Sequence, residues 1–138
     1  SAASDVYKRQ LIKYVNNGSI DLVTCDLCPI DIDNKKTDFE NSFFGSTGLE
    51  SSFGALNSLF DLNKTIKILT SGYDTFSINK PSLSVGSTAK LTLFNPDINY
   101  TFTKSNVLSK SKNSSFIDSK LKGKAYGIVS NSKILIVE

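Results

Sequence analysis

The chain has 138 residues, of which 39% are apolar and 21% charged, so it is long enough to bury a core and has the composition of a globular protein. Its net charge of +3 comes from scattered lysines, with Arg9 as the one arginine, which argues against a nucleic-acid reader because such proteins use arginine forks and clustered charge. The chain has no histidine, which excludes Ser-His-Asp and Cys-His catalytic sites and any histidine-ligated metal site built from this chain alone.

The N-terminal residues differ in composition from the rest of the chain, which is rich in lysine and asparagine and has no arginine after Arg9. Residues 1–10 resemble translated sequencing-adapter sequence, so we predict a non-native leader here and a native polypeptide that begins further upstream. Residues 11–17 place apolar side chains on one face and are followed by Gly18, which predicts the last two turns of a helix. No run is long and apolar enough to cross a bilayer and no segment has signal-peptide order, so we expect a cytoplasmic protein without membrane contact.

Residues 20–26 predict a buried strand. A short apolar run ends at Asp26 and is closed by Pro29. In barrels of parallel strands the C-terminal strand ends carry the chemistry, so Asp26 is our candidate catalytic residue. The alternative is that Asp26 only caps the adjacent turn. Cys25 and Cys28 form a C-x-x-C, but a zinc site needs four ligands and no second pair exists, so we expect two small apolar residues at a crowded strand end.

Residues 30–46 predict a long polar loop, either a binding loop or a solvated one. Asp31 and Asp33 suggest calcium, but the glycine and glutamate of an EF-hand loop are missing, which favours the solvated loop. Gly45 and Gly48 leave bare backbone amides ahead of a predicted helix, which indicates an anion seat.

Two helices are predicted next. Thr47 and Glu50 have the spacing of a capping box, with Thr47 as N-cap and Glu50 reaching back. The first helix carries a stripe of apolar residues at helical spacing, formed by Leu49, Phe53, Leu56 and Phe60. The second covers residues 63–71 and is stopped by Gly72.

The character of the sequence changes near Asn79, where we place a domain boundary. Alternating residues predict strands at 89–94 and 99–103, separated by a turn at 95–97, and a hairpin formed by residues 122–129 and 133–137. The lysine-rich stretch 104–124 is either a solvated loop or a phosphate- or RNA-binding tract, and the absence of arginine favours the loop. The pattern is α/β followed by β.

Four stretches, taken in order, resemble the dihydroorotases of the amidohydrolase superfamily, especially the Bacteroidetes type. They are residues 24–29, 44–51, 83–94, and 109–116 followed by 121–124. The resemblance implies a C-terminal fragment. Residues 11–78 would be the last strand and helices of a (β/α)8 TIM-type barrel, and residues 79–138 would be strands of the small amidohydrolase β-sandwich domain.

The resemblance also implies an activity. These enzymes interconvert dihydroorotate and N-carbamoyl-aspartate in pyrimidine biosynthesis, with a zinc-held hydroxide attacking the cyclic amide. By motif, Asp26 would accept the proton and return it to the leaving nitrogen, and would also be a metal residue. Gly45 and Gly48 would bind substrate. Zinc is expected in the full-length enzyme and not on this fragment alone, because the other ligands would lie upstream.

Two departures from the family pattern keep other functions open. Leu27 and Ile30 stand where the family has histidines, and neither can donate a hydrogen bond. The alternative to an enzyme is therefore a non-catalytic dihydroorotase-like scaffold that partners aspartate carbamoyltransferase. A free-standing binding module is a third hypothesis.

Overall fold

The computed structural model describes residues 2–137, in which helices precede a three-stranded sheet. The helices are α1 (Ala2–Asn16), α2 (Ser52–Asn57), α3 (Leu62–Thr70) and α4 (Gly72–Thr75), and the strands are β1 (Leu91–Thr101), β2 (Lys120–Ser130) and β3 (Lys133–Ile136). Short 3-10 turns occupy Ile32–Lys35, Phe39–Asn41 and Lys104–Asn106. No helix between residues 2 and 137 combines the length and the apolar character needed to span a bilayer. The cytoplasmic location stays a prediction.

Helix α1 confirms the predicted helix end at Gly18. Gly18 has a positive φ of 81°, the conformation that glycine adopts most easily just past a helix. The ammonium group of Lys64 donates to the carbonyl oxygens of Val15 and Asn16 at 3.2 and 3.3 Å, which places a cation at the negative end of the helix. Residues 2–10 form the first part of the same helix. The predicted non-native origin of residues 1–10 stays a prediction, and Ser1 lies outside the described residues.

The segment predicted as a buried strand, residues 20–26, joins no ladder among residues 2–137, and its residues are half-buried or exposed. Instead, Val23 N–H donates to the carbonyl of Ile68 at 3.1 Å. Ser71 Oγ donates to the carbonyl of Asp21 at 2.6 Å. The prediction of a strand was wrong for this chain, because an extended segment becomes a strand only beside another strand with unpaired backbone groups. These two bonds tie the segment to the end of α3.

The predicted capping box is also wrong. Helix α2 begins at Ser52 rather than after Thr47, and both predicted capping side chains bind elsewhere. Leu49 is 58% exposed and does not join the predicted apolar stripe. Helix α3 agrees with its prediction within one residue and begins with Asp61, whose side chain accepts from Lys64 N–H at 3.0 Å. Gly72 does not stop the helical run, because α4 begins there.

The sheet is antiparallel in the order β1-β2-β3. The two strands predicted at 89–94 and 99–103 are one strand, β1, and the predicted turn is a register irregularity between Asn95 and Asn99. The predicted hairpin is confirmed. Asn131 and Ser132 connect β2 to β3 with φ of 50° and 59°, as a two-residue hairpin turn requires.

The core lies between the helices and the sheet. Phe102, Val107 and Leu121 form one buried apolar cluster, against which Ala55 of α2 packs, and Val15 and Ile68 are buried as well. Helix α2 packs closely on β2, since a Cβ added at Gly54 would lie 2.9 Å from the carbonyl oxygen of Gly123. These contacts join the helices to the sheet across the boundary predicted near Asn79. The division into residues 11–78 and 79–138 stays a proposal.

Candidate functional site

The structure brings the Asp26 segment against the loop that contains Gly45 and Gly48. We call residues 25–30 the Asp26 loop and residues 44–50 the Gly45 loop. Cys28 N–H donates to the carbonyl of Ser46 at 3.2 Å. A Cβ added at Gly48 would lie 2.9 Å from Cys25 Sγ. The two loops that contain the predicted catalytic residue and the predicted substrate-binding residues are therefore in contact, although the contacts are made by the neighbours of Asp26 and were not predicted.

Gly45 is required by this contact. Its φ is +143°, and an added Cβ would lie 2.6 Å from Ile30 Cγ1 and 2.7 Å from the carbonyl oxygen of Cys28. Such separations are too short for any side chain, so only glycine lets the two loops touch. Ile30 thus packs on Gly45, at the position where a substrate-binding histidine was expected.

Asp26 is exposed at the surface of its loop, beside a half-buried thiol. Burial, followed by the negative charges of Glu50 and Asp26, raises the pKa of the Cys25 thiol. The two carboxylates therefore both act on the Cys25 thiol. A protonated thiol is a poor nucleophile and a poor metal ligand, in keeping with the prediction of a small apolar residue.

A third segment crosses both loops. We call residues 108–115 the bridging segment. Its first two residues contact Glu50, whose Oε1 accepts from Leu108 N–H at 2.9 Å and from Ser109 N–H and Oγ–H at 2.7 Å each. Burial raises the pKa of Glu50, but the bonds from Ser109 and Leu108 outweigh it, so the net pKa is lowered. The charged form of Glu50 is thus stabilised by the hydrogen bonds that it accepts from Leu108 and Ser109, and Glu50 does not cap a helix.

Further along, the bridging segment binds backbone groups of both loops. Ser111 Oγ donates to the carbonyl of Ile30 at 2.6 Å. Asn113 Nδ2 donates to the carbonyl of Gly45 at 3.0 Å, and its own carbonyl accepts from Thr47 N–H at 2.7 Å. The sequence analysis favoured a solvated loop here and missed these contacts. The available signal was the alternation of short polar residues at 109, 111 and 113, which an extended segment points to one side.

The anion-binding site predicted from the free amides near Gly45 and Gly48 does not lie at the start of a helix. Thr47 N–H is used by the carbonyl of Asn113, and α2 begins only at Ser52, so Gly45 and Gly48 do not lie at a helix end. Asp31 and Asp33 are exposed, in agreement with the prediction of a solvated loop. Asp31 Oδ1 accepts from Asp33 N–H at 2.9 Å, and Asp33 pairs with Lys36 at 2.9 Å, so both carboxylates stabilise a 3-10 turn.

The residues of this chain do not form a zinc site by themselves. Among residues 2–137, no three His, Cys, Asp or Glu side chains cluster closely enough to hold a metal ion. Cys25 adjoins Asp26 but is a protonated thiol, and Glu50, which also acts on Cys25, is engaged by three donors. A tetrahedral zinc site needs three or four ligands, so Asp26 could contribute at most one of them.

Comparison with known proteins confirms the predicted resemblance. No protein-family model matches the chain. The dihydroorotase of Chlorobaculum tepidum is 32% identical over 133 residues, covering 91% of this chain and 30% of that protein. The dihydroorotase of Caldanaerobacter subterraneus is 32% identical over 120 residues, covering 82% of this chain and 28% of that protein. The chain is a homologue of the dihydroorotases and spans about 30% of the length of the curated relatives it matches.

Solved structures agree on the fold. The D-hydantoinase of a Thermus species superposes with a TM-score of 0.79 at 20% identity, covering 94% of this chain and 31% of that one. The L-hydantoinase of Arthrobacter aurescens superposes with a TM-score of 0.76 at 22% identity, covering 92% and 31%. Over the part it spans, the chain has the fold of these hydantoinases, which confirms the predicted fold class.

Proposed function

We propose that the chain is the C-terminal part of a dihydroorotase-like cyclic amidohydrolase, which interconverts dihydroorotate and N-carbamoyl-aspartate in pyrimidine biosynthesis. Asp26 is the proton-transfer residue, and Gly45 and Gly48 belong to the loop that faces the substrate. The observation that carries the proposal is the contact between the Asp26 loop and the Gly45 loop. The two loops approach so closely that a side chain at position 45 would overlap Ile30 and Cys28. Homology to dihydroorotases supports the reaction class.

The chemistry requires one carboxylate with access to water and substrate. Opening a cyclic amide adds water to the carbonyl carbon, removes a proton from that water and delivers a proton to the leaving nitrogen. Asp26 is exposed and follows an apolar segment, so its carboxylate can accept the first proton and return it to the nitrogen. Its neighbours Glu50 and Cys25 do not compete for this role, because Glu50 is already bound by three donors and Cys25 is held protonated.

Zinc is part of the proposal for the whole protein and not for this chain. Only Asp26 would reach the metal from here, and the remaining ligands would lie in sequence outside residues 1–138. When bound, zinc would supply a water molecule of lowered pKa.

A non-catalytic scaffold that partners aspartate carbamoyltransferase is the second candidate. The observation that favours it is the apolar character of two positions where the family has histidines. Leu27 is 42% exposed, and Ile30 packs against Gly45, so neither position presents a hydrogen-bond donor to a substrate. The substrate would lose the donor expected at position 30, which would raise KM.

Dihydroorotate turnover and bound zinc in the purified full-length polypeptide separate the two candidates. If the enzyme proposal is right, Asp26→Asn lowers kcat by about 10²- to 10⁴-fold, the usual contribution of a general acid-base residue. Asp38→Asn is the matched control, because Asp38 is an exposed carboxylate whose side chain makes no capping bond at its 3-10 turn. Its activity should equal that of the wild type.

A folded full-length protein with neither zinc nor turnover would contradict the enzyme proposal. If that protein also co-purified with aspartate carbamoyltransferase, the scaffold would be supported. Equal loss of activity in Asp26→Asn and Asp38→Asn would remove Asp26 from its role.

A further inference from the structure

We propose that Glu50 is a positioning residue, which acts through the bridging segment to hold the Asp26 loop and the Gly45 loop together. The inference deepens the proposed function and rests on it for its effect on substrate. Nothing in the four motifs of the sequence assigns this role, because the glutamate of the Gly-Leu-Glu motif was expected to cap a helix.

Successive residues of the bridging segment contact Glu50, the Asp26 loop and the Gly45 loop in that order. At its start, Glu50 Oε1 accepts from Leu108 and from both donors of Ser109, residues 58 and 59 positions away in sequence. Bonds to a carboxylate are about twice as strong as bonds between neutral groups. Glu50 therefore sets where the segment begins.

The middle and the end of the segment then fix one loop each. Ser111 binds the carbonyl of Ile30 in the Asp26 loop, 81 residues away. Asn113 binds the Gly45 loop twice, through the Gly45 carbonyl and through Thr47 N–H. The segment thus connects two loops that approach each other directly through the 3.2 Å bond from Cys28 to Ser46.

Displacement of either loop moves Gly45 relative to Asp26. Catalytic geometry must be kept within a fraction of an ångström, and a misplacement of about 1 Å costs roughly 100-fold in rate. Release of the start of the segment should therefore weaken substrate binding at the Gly45 loop without removing any group that touches the substrate.

Glu50→Gln tests the inference in the full-length polypeptide, because glutamine keeps the size and one acceptor oxygen but removes the charge. We expect KM for dihydroorotate to rise about tenfold, within the range that small misplacements produce. Glu40→Gln is the matched control, since Glu40 is exposed in the turn Phe39–Asn41 and should leave KM unchanged. A purely structural role for Glu50 would lower the melting temperature and the active fraction with KM unchanged, and that result would overturn the inference.

Hydrogen exchange followed by mass spectrometry gives a readout that needs no substrate. Glu50→Gln and Asn113→Ala should each speed amide exchange in residues 25–30 and 44–48, and the double variant should be no faster than the faster single variant, because both release the same segment. Unchanged exchange in both single variants would overturn the inference. If the wild type does not turn over dihydroorotate but exchange still rises in both loops, the proposed function fails while the role of Glu50 in holding the loops stands.

Discussion

Asn57 offers the sharpest test of how α2 is joined to the sheet. It is 6% exposed, and its Nδ2 donates to the carbonyl of Pro96 at 2.9 Å and to the carbonyl of Lys122 at 3.0 Å. The two acceptors lie on β1 and β2, at the irregularity where the ladder between these strands is interrupted. One side-chain amide therefore replaces backbone pairing that β1 and β2 lack here.

The magnitude follows from these two bonds. Each contributes about 1 kcal/mol net, and the carbonyls left behind in Asn57→Ala are partly shielded from water, so we expect a loss of about 2–3 kcal/mol in the free energy of unfolding. For a chain of this size that corresponds to a fall of about 6–12 °C in melting temperature. Asn57→Asp should be worse, because a carboxylate would face two carbonyl oxygens without a donor.

Urea denaturation followed by circular dichroism measures the change. Asn63→Ala is the matched control, because Asn63 lies exposed in α3 and alanine favours the helix, so its effect should stay within about 0.5 kcal/mol. If Asn57→Ala also stays within about 0.5 kcal/mol of the wild type, the amide does not stabilise the junction and the reasoning is refuted.

Two further predictions concern Glu50 and Gly123. The pKa of Glu50 is lowered in the folded state from 4.5, so the carboxylate stabilises the fold above that value and this contribution is lost as the pH falls through the folded pKa. Glu50→Gln should therefore reduce the acid-side slope of unfolding free energy against pH. Identical slopes in wild type and variant would contradict this prediction. Gly123→Ala should lose about 2–4 kcal/mol in urea titrations, because φ is +92° and the added Cβ would lie 2.8 Å from Phe53 Cε1. Gly86→Ala has a similar φ of +86° and open space around it, so it should lose only about 1 kcal/mol, and equal losses would show that backbone strain alone acts at Gly123.

Local patterns predicted the elements whose stability depends on nearby residues. The end of α1 at Gly18, the start of α3 near Asp61 and both strands of the hairpin around Asn131 and Ser132 were predicted within one or two residues. Each depends on a cap, a positive φ or a two-residue turn, and these are properties of a few consecutive residues.

Long-range pairing was not predictable from those patterns. The apolar run before Asp26 has strand character, yet it joins no ladder within residues 2–137, because pairing depends on which other strand lies beside it. The same limit explains Thr47 and Glu50. Their spacing suits a capping box, but their side chains bind Asn113 and Ser109, more than 55 residues away.

For the candidate site, the amino-acid sequence by itself determined the residue types and their order: an aspartate after an apolar run, two glycines ahead of a glutamate, and no histidine. The first two of these facts led to the choice of Asp26, Gly45 and Gly48, and the family resemblance drew in addition on residues 83–94, 109–116 and 121–124. Only the tertiary structure decided that the two loops touch and that residues 108–115 bridge them. The reason is that each bridging bond joins groups far apart in the chain, and the identity of a donor does not specify which distant carbonyl or carboxylate it will meet.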